Sequence, residues 1–266
     1  HTRCWRDWSS DVCSSDLISV PPLFRLAERG GRRGGTEIVF VGLVDEESHQ
    51  HGSRAVVKAG FRADLGIVGE PTRLEVVTAH KGDLWARLET RGKAAHGACP
   101  SRGRNAVRAM ARVVEALEGE YAAALSKRSH PLLGSPTINV GTIRGGTHEN
   151  MVPADCRAIC YALVPTAREE TELREALLAL RPHDPDVRIE VTQGLSRPPY
   201  GKSPAIAALY EQARRLADEI GYPVKGERIA GGGSDGNFTG ALGVPTLDGL
   251  GVLGDGPHTL EEHLLV

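Results

Sequence analysis

The stretch Glu37–Thr72, EIVFVGLVDEESHQHGSRAVVKAGFRADLGIVGEPT, constrains this chain more than any other. It opens on an unbroken apolar run, Ile38-Val39-Phe40-Val41-Gly42-Leu43-Val44, which predicts a buried strand. Asp45, Glu46 and Glu47 follow at once. Successive side chains of an extended segment point to opposite faces, so Glu46 and Glu47 would do different work, one binding a metal and the other facing a bound water. Leu65-Gly66-Ile67-Val68 predicts a second strand that runs into Gly69-Glu70-Pro71-Thr72. Ligands carried on the carboxyl ends of strands in an open α/β sheet converge on one crevice. The arrangement fits a metal site with a carboxylate general base beside it. It fits three solvated acids at a strand end equally well.

Four further stretches stand in order behind this one. They are Gly92-Lys93-Ala94-Ala95-His96-Gly97, Gly145-Gly146-Thr147-His148-Glu149-Asn150-Met151-Val152-Pro153, Gly231-Gly232-Gly233-Ser234-Asp235-Gly236-Asn237 and Gly254-Asp255-Gly256-Pro257-His258-Thr259-Leu260-Glu261-Glu262. Together the five resemble the dizinc hydrolases that include glutamate carboxypeptidase, acetylornithine deacetylase, succinyl-diaminopimelate desuccinylase and aminoacylase. The likeness runs from about Leu23 to Val266. The glycine-rich stretch and Leu247-Asp248-Gly249-Leu250-Gly251 are most similar to the glutamate carboxypeptidase branch.

The resemblance implies an α/β fold: a zinc-peptidase-like mixed sheet with flanking helices, carrying an inserted ferredoxin-like α+β lid and dimerisation domain. It implies hydrolysis of an amide bond in a small peptide or N-acyl amino acid, two Zn2+ per subunit with Co2+ as a substitute, and a homodimer formed through the lid. Carried over residue by residue, Glu47 and His258 would ligate one zinc, Glu70 the other, and Glu46 would be the general base. His96 resembles the histidine that reaches across the dimer to stabilise the tetrahedral intermediate. Asn150 resembles a lid residue that hydrogen-bonds substrate, and Gly232, Gly233 and Ser234 a loop that approaches a substrate carboxylate.

Taken without the resemblance, His96 reads as a surface or turn histidine and Asn150 as a turn residue tolerating a left-handed backbone. His49, His51, His148 and His263 read as structural or solvent-facing. One departure stands out. The family usually shows Asp-x-Arg-x-x-Pro after a lid strand, and here the aligned positions are Cys160, Ala162 and Pro165, with Arg157 out of register.

The chain's organisation follows from its periodicities. Residues 1–17 show no period, resemble the translation of a sequencing adapter and are set aside as non-native. Residues 18–80 and 197–266 are assigned to a partial metal-binding domain, and 81–196 to the lid. Pro21–Arg29 has helical spacing. From Asp83 to Thr90, Leu84, Ala86 and Leu88 alternate with Arg87 and Glu89, as in a half-exposed strand. Asn105–Leu117 predicts a helix burying Val107, Met110, Val114 and Leu117. Strands over Thr137–Ile143 and Ala158–Val164, a helix over Glu169–Leu180 and a strand over Val187–Val191 complete a β-α-β-β-α-β order. Ser203–Ile220 predicts a helix on Ile206, Leu209, Tyr210, Ala213, Leu216 and Ile220, and Val244–Leu247 a strand.

A net charge of −2 on 266 residues argues against nucleic acid or an anionic membrane as partner. Cys4, Cys13, Cys99, Cys156 and Cys160 form no Cys-x-x-Cys pair, which suits a reduced, cytoplasmic protein. The family's first metal-binding histidine and bridging aspartate find no counterpart, so these residues alone are expected to be inactive, truncated at both ends, with the hydrolase belonging to a longer parent. The competing readings are an acetylornithine- or succinyl-diaminopimelate-type deacylase, a non-catalytic dimerisation module, and a piece that does not fold natively.

Overall fold

The computed structural model describes residues 37–46, 49–73, 75–230, 232–251, 253–255, 260–261 and 263–265. They divide into two compact units. The first runs up to His80 and resumes at Tyr200–Ala230 and Ser234–Val266. The second is Lys81–Pro199, with which Gly232 and Gly233 group.

In the first unit, α1 (His51–Lys58) is followed by β1 (Gly66–Ile67) and β2 (Glu75–His80). After the second unit come α5 (Pro204–Glu219), β9 (Gly226–Ala230), α6 (Gly236–Ala241), β10 (Thr246–Leu247), β11 (Leu253–Asp255) and β12 (His263–Leu265). β1 pairs in parallel with β10, and β2 in parallel with β9. From Val76 to His80 every residue of β2 is buried, the signature of a parallel strand covered on both faces. Val76, Tyr200, Ile206 and Leu247 form the unit's core, with Leu209, Tyr210 and Ala213 of α5 packed on it. Ser203 caps α5 by accepting a hydrogen bond from the Ile206 amide at 3.2 Å. The expected stripe on this helix is buried only in part: Leu216 and Ile220 are exposed.

The Ile38–Val44 expectation is corrected. Residues 37–45 form no strand, and Ile38, Val39, Phe40, Val41 and Val44 are exposed. An apolar run becomes a strand only where its amides and carbonyls find a neighbour, and among the described residues this run pairs with no other segment. Asp45 takes a left-handed φ of 64° and turns the chain, so Glu46 does not continue an extended segment, and Glu47 lies outside the described residues. The Pro21–Arg29 helix lies outside the described residues.

The second unit is β3 (Gly82–Arg91), β4 (Ala95–His96), α2 (Ala106–Ala116), α3 (Ala122–Ser126), β5 (Thr137–Gly145), β6 (Met151–Val152), β7 (Asp155–Val164), α4 (Ala167–Leu178) and β8 (Arg188–Arg197). Its antiparallel sheet has the order β5-β7-β3-β8, which is the ferredoxin-like arrangement of two split βαβ units. α2 and α4 start on side-chain caps. Asn105 accepts from the Arg108 amide at 2.8 Å, and the Thr166 hydroxyl accepts from the Glu169 amide at 3.2 Å while donating to the Glu169 carboxylate at 2.8 Å. α2 buries Ala106, Ala109, Met110 and Val113; of the expected stripe Met110 and Leu117 are buried, and Val107 and Val114 are half-buried. These side chains meet Leu84, Ala86 and Leu88 of β3 and alternate residues of β7. Glu89 was expected on the solvent side, yet it is buried. Arg91 at 2.6 Å, with Arg87 and Arg157 each at 3.3 Å, surrounds its carboxylate. No helix among the described residues is long and apolar enough to cross a membrane.

Candidate functional site

The first unit presents its acids on two loops. At the first, the left-handed Asp45 and Gln50 (φ 55°) fold the chain back into α1, and the Gln50 amide donates to the Asp45 carbonyl at 2.7 Å. Glu46 stands half-buried in this turn. The amides of His49 and His51 donate to the two Asp45 carboxylate oxygens at 3.2 and 3.4 Å. Desolvation pushes the Asp45 carboxyl up, but these amide bonds and the His51 imidazole outweigh it and hold the group below the usual carboxylate range. Ser53 of α1 donates to the Asp235 carboxylate, and the Arg54 guanidinium lies 5.7 Å from the Phe238 ring centre, tying this turn to α6.

The second acid, Glu70, lies half-buried on the loop that leaves β1. Its backbone is fixed by the neighbouring chain: its carbonyl accepts from the amides of Thr72 at 3.0 Å and Gly251 at 3.1 Å. A Cβ on Gly251 would sit 2.1 Å from the Gly69 carbonyl oxygen, so only glycine allows this approach.

A third group lies deeper in the same unit. Asp248, His80 and Ser234 are all buried. His80 Nε2 stands 2.8 Å from Asp248 Oδ2, Ser234 Oγ donates to the same oxygen, and the Gly249 amide donates to Oδ1 at 2.5 Å. The Ser234 amide donates to Asn237 Oδ1 at 2.8 Å. Ser234 therefore spends both its donors inside the protein. Its side chain anchors the glycine-rich loop. Gly232 and Gly233 remain as backbone.

In the second unit β4 pairs with β6, placing His96 opposite Met151 and joining the Gly97 amide to the Asn150 carbonyl at 2.6 Å. His96 and Asn150, far apart in sequence, thus become exposed neighbours at one end of this unit. Asn150 sits in a turn without the left-handed φ allowed for it. The Ala98 amide donates to His96 Nδ1 at 3.1 Å, which leaves Nε2 to carry the proton of a neutral ring. Cys160 and Ala162 both face the core of this unit, and burial pushes the Cys160 thiol up to about 12. That strand face holds no room for a charged side chain.

Glu47 and His258 lie outside the described residues. Among the described ones, the group that sequence reasoning set aside is Asp45 with His49 and His51, whose ligand atoms lie within 4.8 Å of one another. Two histidines spaced His-x-His four and six residues after an aspartate were the available signal.

Residues 78–185 match the M20 peptidase dimerisation domain. The chain is 38% identical over 125 residues to the acetylornithine deacetylase of Myxococcus xanthus, covering 46% of this chain and 33% of that protein. It is 35% identical over 115 residues to the acetylornithine deacetylase of Vibrio cholerae, covering 42% and 30%. The matched segment is thus about a third of the length of these curated relatives. Among solved structures it is similar to the aminopeptidase PepT of Bacillus cereus, with a TM-score of 0.66 at 23% identity over 93% of this chain and 64% of that one. A tripeptidase of Staphylococcus aureus gives 0.59 at 23% identity over 83% and 57%. At that identity the structural likeness speaks for the fold.

Proposed function

We propose, from the premise that this chain belongs to the M20 metallopeptidase family through its dimerisation domain at residues 78–185, that the protein carrying it hydrolyses an amide bond in a peptide or N-acyl amino acid. The observation that carries this reading is that the matched domain interrupts a unit whose loops hold two half-buried acids, Glu46 and Glu70.

Zinc takes carboxylate oxygen and imidazole nitrogen, and Glu70 is a half-buried carboxylate of that kind. Glu47, Glu70 and His258 are the residues proposed to hold two zinc ions per subunit, with cobalt as a substitute. Bound zinc supplies Lewis acidity that polarises the scissile carbonyl and brings the pKa of water toward about 7. Glu46 takes the proton of the attacking water and passes it to the leaving amine. His96, reaching across a homodimer, donates to the carbonyl oxygen as negative charge develops there, and Asn150 hydrogen-bonds the substrate. Amides of the Gly232–Gly233 loop receive a substrate carboxylate.

The acetylornithine deacetylases matched by this chain weigh toward an N-acyl amino acid. The glycine-rich stretch weighs toward a metallocarboxypeptidase of the glutamate carboxypeptidase kind. Assay of the protein carrying this chain on N-acetyl-L-ornithine and on a peptide ending in glutamate separates the two. In either case Glu46→Gln should lower kcat by about 10²–10⁴-fold with bound zinc unchanged. Full turnover by that variant refutes Glu46 as the base. Because the family match is confined to the dimerisation domain, a second reading is a dimer without catalysis. It predicts a homodimer in sedimentation that binds no zinc and turns over neither substrate.

A further inference from the structure

The turn entering α1 brings one carboxylate and two imidazoles together by local geometry alone. His49 Nδ1 stands 3.5 Å from Asp45 Oδ1, and His51 Nδ1 is in contact with Asp45 Oδ2. The two rings stack, with centroids 5.4 Å apart and planes inclined by 26°. One ligand atom from each residue lies within 4.8 Å of the other two. Donors around a tetrahedral ion at about 2.0–2.1 Å are separated by about 3.4 Å. Small rotations of two exposed imidazoles close that difference, since the side chains of His49 and His51 are 63% and 71% accessible while Asp45 is 17%.

We propose that Asp45, His49 and His51 form a binding site for a late first-row divalent cation, with zinc the expected occupant. Two imidazoles and one carboxylate are the donor set that suits zinc, nickel and copper. Calcium and magnesium, which take oxygen donors, are disfavoured. The start of α1 opposes a cation through its dipole, and the Asp45 charge, held in place by the amides of His49 and His51, offsets this. Three protein ligands leave a position for water, and a bound ion would tie Asp45 to the start of α1. None of the three belongs to the set proposed for hydrolysis, so this site stands or falls separately from that reading.

The test uses the 266-residue chain without a histidine tag, stripped of metal and titrated with Zn2+ by calorimetry. Its companions are the double variant His49→Ala/His51→Ala and, separately, Glu70→Gln. Loss of an outer-shell partner already weakens metal sites by about 10–100-fold, so removing two direct ligands should abolish one equivalent or weaken it by more than that. Glu70→Gln should keep this equivalent, whatever it does to any other. The proposal is overturned if the double variant, folded by circular dichroism, binds zinc with the stoichiometry and affinity of the parent. Should the double variant not fold, X-ray absorption of the parent loaded with one equivalent of Zn2+ decides: scattering from two imidazoles supports the site, and oxygen-only coordination refutes it.

Discussion

Replacing Asp248 by alanine tests how the first unit holds its glycine-rich loop. The carboxylate is fully buried and serves three donors: His80 Nε2 at 2.8 Å, the Gly249 amide at 2.5 Å and the Ser234 hydroxyl. Alanine removes every acceptor at once. A buried donor left without a partner costs about 1–3 kcal/mol. Shared relaxation keeps the three costs from adding in full, and breaking one side of a buried ionic or polar group is worth about 3–5 kcal/mol. We therefore expect Asp248→Ala to lose about 4 kcal/mol, a large part of the roughly 5–15 kcal/mol that holds a domain together. Asp248→Asn keeps an acceptor oxygen and should lose about 1–2 kcal/mol. Urea unfolding followed by far-UV circular dichroism measures both, with the slope unchanged and the midpoint lowered. Hydrogen exchange adds a local readout. The Gly236 amide, which donates to Ser234 Oγ at 3.0 Å, should exchange faster in Asp248→Ala than in the parent. A loss below about 1 kcal/mol would refute the reasoning, because it would mean the orphaned donors are readily rehydrated.

Other changes probe single contacts. A Cβ on Gly240 would lie 2.1 Å from Cδ2 of the buried Tyr200, so Gly240→Ala should cost about 1–3 kcal/mol by overpacking, read from the same urea midpoint. Ala162→Arg restores the residue type the family usually shows but would drive a charge into the core of the second unit. It should destabilise that unit by more than about 3 kcal/mol, and a stable variant would show that the strand face can turn outward. Burial raises the Cys160 thiol from 9.0 to about 12, so the folded state keeps its proton longer than the unfolded state. That contribution to stability is complete below pH 9 and is lost as pH rises toward 12, giving alkaline unfolding that Cys160→Ala makes shallower. Mass spectrometry after brief alkylation at pH 8 should find exposed Cys99 modified before Cys156 and Cys160.

Much of the second unit was legible because its signals are local. Alternation over Leu84, Ala86 and Leu88, the helical period over Asn105–Leu117 and the order of strands and helices sufficed to predict a ferredoxin-like unit. The misplaced details have non-local causes. Glu89 is buried because Arg157, on the neighbouring strand β7, and two arginines of its own strand enclose it. A single-strand pattern has no view of a neighbour's charge. On the expected stripe Met110 and Leu117 are buried while Val107 and Val114 are buried only in part, because the strand side chains that the helix meets set how far each position is covered.

The sequence by itself determined which residues could do chemistry and in what order they come: Asp45 to Glu47, Glu70, His96, Asn150, the glycine-rich loop and His258. It also determined the periodic elements, since helix and strand periods are properties of neighbours along the chain. Tertiary structure alone decided which groups the candidates meet. Ser234 is consumed by Asp248, a residue fourteen positions away, whereas His96 gains Asn150 as a neighbour through the β4–β6 pairing. It also left Ile38–Val44 without a ladder among the described residues and gathered His49 and His51 around the Asp45 carboxylate. Burial, pairing and convergence depend on which surfaces meet when the chain folds, and a linear pattern carries that information only where the meeting surfaces are adjacent in sequence.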